Sequence, residues 1–380
     1  MPGHSEDHEL YQTMISRALK QEISPDYDAW EAAGAMPKSI WQTLGAAGLL
    51  GVDMPERYGG AGARFEVCQL VIEEIARQGF GGLCASYNIH ANIVMPYILH
   101  IGTAAQQQQW LPSMIRGQTV GAIAMTESGA GSDLAAIRTS AKRTHDGWLI
   151  NGAKVFITNG LHADVVIVCA KTAPNAGAKG VSLFLVDGSL AGFSRGQGID
   201  KIGQHSSDTA ELFFTDLLVP HDALLGEEGK GFAYLMQELP RERLGVAAQA
   251  MGATEGALAL TLDYVQERKA FDQRVSDFQN TRFKLAEAKA QLEMARVYLN
   301  HCIDSYNREA MTSTEAAILK LQLTEMQCKI TDECLQLFGG YGYTQAYPIS
   351  RFYVDARVQT IYAGTSEIMK EVIARSLLGK

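Results

Sequence analysis

No two of the chain's six cysteines stand in a Cys-x-x-Cys spacing; they lie at 68, 84, 169, 302, 328 and 334, mostly in apolar surroundings such as Val-Ile-Val-Cys169. This speaks against a disulfide framework and against thiolate metal motifs, and predicts reduced core thiols in a cytoplasmic protein. The histidines are scattered without metal-type pairing, so no metal site is expected. No apolar run approaches membrane-spanning length. Lys/Arg runs are missing and the formal charge is −9, which argues against nucleic-acid or anionic-membrane partners. The segment Met1–Leu10 carries Glu6, Asp7 and Glu9 and no apolar centre, unlike a secretory signal or an Arg-rich transit peptide. Repeats and low-complexity tracts are also missing. With 47% hydrophobic and 20% charged residues, 380 residues can bury a large core in two or three packed units.

Three textures follow one another. Residues 1–118 read as a helical domain: Glu66–Arg77 and His90–His100 carry apolar residues at helical spacing, and Tyr58–Ala63 is a loop. Residues 119–225 read as a β-domain, a small antiparallel sheet or barrel. Short runs at Val120–Met125, Trp148–Ile150, Val165–Ala170, Val181–Val186 and Leu212–Phe214 are separated by turn dipeptides at Asp146-Gly147, Asn151-Gly152, Asn159-Gly160 and Asp187-Gly188. Residues 226–380 read as long helices. Leu285, Ala288, Leu292, Ala295 and Leu299 form a heptad-like seam suited to a bundle or an oligomer contact, and Thr314–Phe338 stops at Gly339-Gly340.

Five motifs and one further cluster could carry chemistry. Met125–Asp133 is a small-residue loop after a strand, with Thr126 and Ser132 offering hydroxyls; an ordinary turn explains it equally well. In Lys154–Gly160, Phe156 could stack on a flat ring and Thr158 bond its edge, or the segment is simply a strand ending in an Asn-Gly turn. In Glu238–Leu244, Glu242 and Arg243 follow Pro240, which starts or kinks a helix; a solvated charge cluster in a first helical turn is the plain alternative. Gln336–Gly342 permits close backbone approach to a ligand or caps a helix. In Ile361–Glu367, Thr365 or Ser366 could cap the following helix. Arg268 and Phe271, with Gln279 beyond, could hold an anionic cofactor or mark a solvated helix end.

Taken in order, these motifs, with Lys201-Ile-Gly, Ser206–Glu211, Gly226–Phe232 and Asp355-Ala-Arg357, give a chain that resembles the acyl-CoA dehydrogenase family over nearly its whole length. The resemblance implies an N-terminal helical domain, a middle β-domain and a C-terminal four-helix bundle. It also implies FAD between domains, a homotetramer, an acyl-CoA substrate and an electron-transfer flavoprotein as electron acceptor. It implies that Met125, Thr126, Ser132, Phe156, Ile157 and Thr158 contact FAD, with Phe156 against the ring and Thr158 at its reactive edge. Arg268, Phe271, Gln279, Gln336, Gly339 and Gly340 would reach FAD bound mainly by a neighbouring subunit, and Thr365, Ser366 and Glu367 would line its phosphate end. Ser132, Arg243, Ala363 and Gly364 would meet the substrate.

The chain departs from the commonest pattern of the family at the base. Many members carry a catalytic Glu directly before the Gly-Thr-Ser turn, where Ala363 stands here. A subgroup that includes the long-chain and isovaleryl enzymes carries it on the helix after the β-domain, and Glu242 matches that arrangement. Glu238, four residues earlier, shares its helix face if the helix runs through Pro240. The expected activity is α,β-dehydrogenation of a saturated medium- or long-chain acyl-CoA to the trans-2-enoyl-CoA. The alternatives are a branched-chain (isovaleryl- or citronellyl-like) dehydrogenase and a non-catalytic flavoprotein assembly partner. The resemblance also implies that the thioester oxygen accepts from the backbone N–H of residue 363, which does not depend on the side chain, so Ala363 can keep that role. Ser128 stands where Pro is usual, and Gln204-His205 where a basic residue is common. Nothing in the sequence explains Asp272 in place of the usual Gly.

Overall fold

The structure is a computed structural model that describes residues 6–379. Seven helices come first: α1 (Glu6–Glu22), α2 (Ser24–Ala33), α3 (Ile40–Ala46), α4 (Phe65–Arg77), α5 (Gly81–Tyr87), α6 (Met95–Ile101) and α7 (Ala104–Ile115). The predicted run His90–His100 is helical, but a π-helical stretch, Asn88–Val94, precedes α6. Such wide turns often sit at functional sites. The side chain of Thr103 accepts from Gln106 N–H while Gln106 reaches back to Thr103 N–H, a capping box that fixes the start of α7.

Eight strands follow: β1 (Gly121–Ala124), β2 (Ser140–Arg143), β3 (Trp148–Thr158), β4 (Val165–Lys171), β5 (Val181–Asp187), β6 (Phe193–Gly198), β7 (Thr209–Val219) and β8 (Leu224–Leu225). Their order is β6-β7-β3-β2-β4-β5-β8, mostly antiparallel, with β1 lying parallel on β4. The expected turn at Asn151-Gly152 is not one. It falls inside β3, where the pairing with β7 shifts register between Ile150 and Gly152. A second shift, between Lys154 and Ile157, adds a residue to the strand. Such a bulge inverts the in-out alternation, so Lys154 and Ile157 both point inward while Phe156, at φ +59°, stands 63% exposed.

The C-terminal part begins with α8 (Gly231–Glu267), followed by the short β9 (Lys269–Ala270) and β10 (Gln273–Arg274), then α9 (Gln279–Asn307), α10 (Ser313–Phe338), α11 (Pro348–Gln359) and α12 (Ser366–Leu378). Of the expected seam, Ala288, Leu292 and Leu299 are buried. Helix α8 is the axis of the molecule and packs on both α4 and α10. Its contact with α4 is close because Gly252 and Gly256 lie on the carbonyls of Glu73 and Arg77. A Cβ at either glycine would fall 2.1 or 2.0 Å from those oxygens. Pro240 does not start α8 but sits inside it. Glu238 and Glu242 therefore share one helix face, and neither lies in the first turn.

Candidate active site

The solvated-cluster reading of Glu238–Leu244 fails on burial. Glu238, Arg241, Glu242 and Arg243 are all 4–5% exposed. Three of the four charges meet a specific group from far along the chain. Arg241 pairs with Asp53 at 2.6 Å and donates to the carbonyl of Asn92. The Tyr97 hydroxyl, on α6, donates to Glu242 Oε1 at 2.8 Å, and His100 Nδ1, one turn further on α6, lies 3.0 Å from Glu238 Oε1. The two aromatic residues at i and i+3 on α6 thus face the two carboxylates at i and i+4 on α8.

Burial pushes the Glu242 carboxyl up to about 7; the Tyr97 hydrogen bond opposes the rise, the neighbouring Glu238 adds to it and Arg243 opposes it. A carboxylate so placed is a stronger base than one in water and still ionises near neutrality. Glu242 can accept a proton only as the carboxylate, so proton abstraction should rise with pH through about 7 and level off above it. Tyr97→Phe removes a donor that favours the charged form. The inflection in the pH profile of kcat/KM is expected to move upward by about one pH unit, since a hydrogen bond to a charge contributes roughly 1.5–3 kcal/mol. An inflection that stays in place in Tyr97→Phe would show that this hydroxyl does not tune Glu242.

Arg243 approaches Gly364, with Nη2 3.8 Å from where a Cβ on that glycine would sit, and its buried Nε has no partner. Lys320, fully buried on α10, donates to the carbonyl of Gly364 at 2.7 Å. Burial, with Arg243 nearby, pushes the Lys320 ammonium down to about 8. Ala363 holds φ +52° and Gly364 φ +93°. The tight turn before α12 is therefore clamped next to Glu242's own helix. Thr365 does cap α12, accepting from Ile368 N–H, while the buried Ser366 hydroxyl is unpartnered and Glu367 is exposed.

A second group forms beside β3. Val155 N–H donates to the carbonyl of Thr126, and Lys154 Nζ reaches both the carbonyl of Met125 and Glu127 Oε1, each at 2.9 Å. Glu127 also accepts from the N–H groups of Arg138 and Thr139. The Met125–Asp133 loop is thereby stapled against the strand that carries Phe156 and Thr158, with Ser132 exposed on it. Ile157 turns the other way from Phe156. Its side chain is 2% exposed and belongs to the sheet core, so only its main chain is available to a ligand. Cys169, buried on β4, lies within the electrostatic reach of Lys154, Glu242 and Glu127, which places this group and Glu242 in one neighbourhood.

A third group lies at the end of the bundle. Arg268, Phe271, Gln279, Gln336, Gly339 and Gly340 are all exposed. Arg268 stacks over Tyr341 at 5.6 Å, Phe271 is 91% exposed at φ +51°, and Gly339 and Gly340 have no atom within 4 Å of where a Cβ would stand. Among the described residues no hydrogen bond joins this group to the other two. Outward aromatic side chains on left-handed backbone, an open glycine shelf and unpartnered buried donors at Arg243 and Ser366 fit a long ligand with a flat ring and an anionic segment.

Tyr97, His100, Lys154 and Lys320 carried no role in the sequence reading. Their only signal is polarity inside apolar stretches, as in Met-Pro-Tyr97-Ile-Leu-His100 and Ala-Ile-Leu-Lys320-Leu.

The family descriptions "Acyl-CoA dehydrogenase, N-terminal domain", "middle domain" and "C-terminal domain" match residues 5–118, 122–217 and 229–378. The chain is 44% identical over 376 residues to the long-chain specific acyl-CoA dehydrogenase, mitochondrial, of Sus scrofa, covering 98% of this chain and 87% of that protein. The structure of an acyl-CoA dehydrogenase from Geobacillus kaustophilus superposes with a TM-score of 0.94 at 43% identity, covering 98% of both chains. A glutaryl-CoA dehydrogenase from Mycobacterium smegmatis in complex with FADH2 gives 0.93 at 28% identity, covering 99% of this chain and 95% of that one. Three domain matches in the family's order, over a fold shared almost end to end, make this chain an oxidoreductase of the acyl-CoA dehydrogenase family.

Proposed function

We propose that the chain catalyses FAD-dependent α,β-dehydrogenation of a saturated medium- or long-chain acyl-CoA to the trans-2-enoyl-CoA, with Glu242 as the base. The observation that carries this reading is a buried carboxylate on α8, oriented by Tyr97, whose chain neighbour Arg243 reaches the Gly364 turn. When bound, FAD supplies the acceptor for the β-hydrogen, taken as hydride. Thr126, Ser132, Phe156 and Thr158 would hold it from this chain, with the main chain of Met125 and Ile157. Thr365, Ser366 and Glu367 would meet its phosphates. Arg268, Phe271, Gln279, Gln336, Gly339 and Gly340 would hold the same group in a neighbouring copy.

Glu242 takes the α-proton, and the site's dryness makes it basic enough to do so. The N–H of Ala363 serves the thioester oxygen as charge develops, a role that any side chain at 363 leaves intact. Lys320, by fixing the carbonyl of Gly364, holds that N–H in place. Arg243 contributes positive charge at the substrate side of the turn. Ala363 leaves volume where a glutamate would otherwise project, which suits an extended acyl chain.

The partners proposed are an electron-transfer flavoprotein as electron acceptor and further copies of this chain, in a tetramer. Phe283, Met294 and Val297 on α9, 58–75% exposed, support the second. A cytoplasmic setting is supported by unpaired cysteines, five of them buried. Anaerobic titration with saturated acyl-CoAs of graded length and branching tests the reading. Straight medium and long chains are expected to bleach the flavin absorbance stoichiometrically. Bleaching by branched thioesters alone would refute the substrate proposed.

A further inference from the structure

A base that is 4% exposed must dispose of each proton it takes before it can act again. Glu242 has an ordered series of groups between it and the surface. Glu238 lies one turn earlier on the same face of α8, at a spacing that sets Cβ atoms roughly 5–6 Å apart. The Tyr97 hydroxyl, bonded to Glu242, also lies in the field of Glu238. His100 Nδ1 meets Glu238 at 3.0 Å, and the His100 side chain is 35% exposed, whereas that of Glu238 is 4% exposed. The series therefore runs from a dry carboxyl, through a second dry carboxylate, to an imidazole that touches water.

We propose that Glu238 and His100 are the exit for the proton abstracted by Glu242, an inference that rests on Glu242 being the base. The O–H bond formed on Glu242 breaks and one forms on Glu238. That proton passes to His100 Nδ1 while Nε2 releases one to water, and no electrons move. Imidazole suits the outer position because it accepts at one ring nitrogen and donates from the other. Glu238 suits the inner position because it stands one turn from Glu242 on the same helix face and touches His100.

The groups that face this series are few. Glu242 is met by Tyr97 on α6, Cys169 on β4 and Arg243 on its own helix. Glu238 is met by His100, by Gln237 Nε2 at 3.5 Å and by the field of Tyr306 on α9. Burial holds Tyr97, Cys169 and Tyr306 in their protonated forms. Arg241 is engaged by Asp53. None of these offers the proton a competing acceptor.

The test uses the FAD-loaded enzyme and a 3-thiaacyl-CoA, which can lose its α-proton but has no β-hydrogen to give up. Two rates are measured in D2O: appearance of the bound enolate's long-wavelength absorption, and exchange of the α-hydrogens followed by mass spectrometry. In His100→Asn, enolate formation is expected to stay within about twofold of wild type while exchange slows about tenfold, and added imidazole is expected to restore exchange. Retained flavin and circular dichroism report on folding. Equal slowing of both rates, or unchanged exchange, would overturn the proton exit. Glu242→Gln is expected to abolish both rates; an enolate formed at the wild-type rate in that variant would instead overturn the assignment of the base.

Discussion

Glu242→Gln is expected to lower the rate of flavin bleaching by acyl-CoA by ~10²–10⁴-fold while the protein keeps its bound flavin. The substitution preserves shape, and the Gln carbonyl still accepts from the Tyr97 hydroxyl, so the packing of α6 on α8 is retained. It removes only the capacity to take a proton. The same variant should also be more stable than wild type in mildly alkaline buffer. Folding raises this carboxyl from 4.5 to about 7, so between those values the folded state binds more protons than the unfolded one. Wild-type stability therefore falls as pH rises through that window, by on the order of 3 kcal/mol, and the variant escapes the loss. Urea unfolding at pH 5 and pH 8, with stopped-flow bleaching at pH 8, checks both halves. Bleaching at the wild-type rate in Glu242→Gln removes this residue from the mechanism.

Lys154→Met is expected to be the most damaging change in the sheet, costing about 3–5 kcal/mol and loosening the Met125–Ser132 loop. The Lys154 side chain is fully buried and that of Glu127 is 9% exposed, so the substitution strands a carboxylate without its cation. The N–H groups of Arg138 and Thr139 would remain as its donors and soften the loss. The double variant Lys154→Met, Glu127→Gln should recover most of the stability, because no unpaired charge is left. It should not recover full flavin affinity, because the bond from Lys154 to the carbonyl of Met125 is still missing. Urea unfolding and flavin retention on gel filtration separate the two effects. A single variant as stable as wild type would show that this ion pair does not hold the loop.

The order of helices, strands and helices was readable because each texture has its own apolar period. The heptad-like run on α9 and the Gly339-Gly340 stop after α10 belong to that readable part. Strands β2 and β6 escaped notice because Ser-Ala-Lys-Arg143 and Phe-Ser-Arg-Gly-Gln-Gly198 are polar and carry little alternation. Asn151-Gly152 has turn chemistry, yet β7 pairs along the full length of β3 and absorbs the dipeptide as a bulge. Glu242 could be chosen only through family resemblance. A cluster of four charges reads as solvated unless its partners are known, and Tyr97 and Asp53 lie 145 and 188 residues away from theirs. The burial of the Ile157 side chain was illegible for a related reason: a one-residue register shift decides which of Phe156 and Ile157 faces outward, and it leaves no mark in composition.

Helices α6 and α8 lie more than 100 residues apart in the polypeptide, and the hydrogen bond from Tyr97 also helps set the acidity of the proposed base. A pH profile would thereby double as a gauge of how the stretches matching the family's N-terminal and C-terminal domains are seated. Lesions remote from the substrate that shift α6 on α8 would draw Tyr97 from its carboxylate and surface as an altered pH optimum in a protein that still folds.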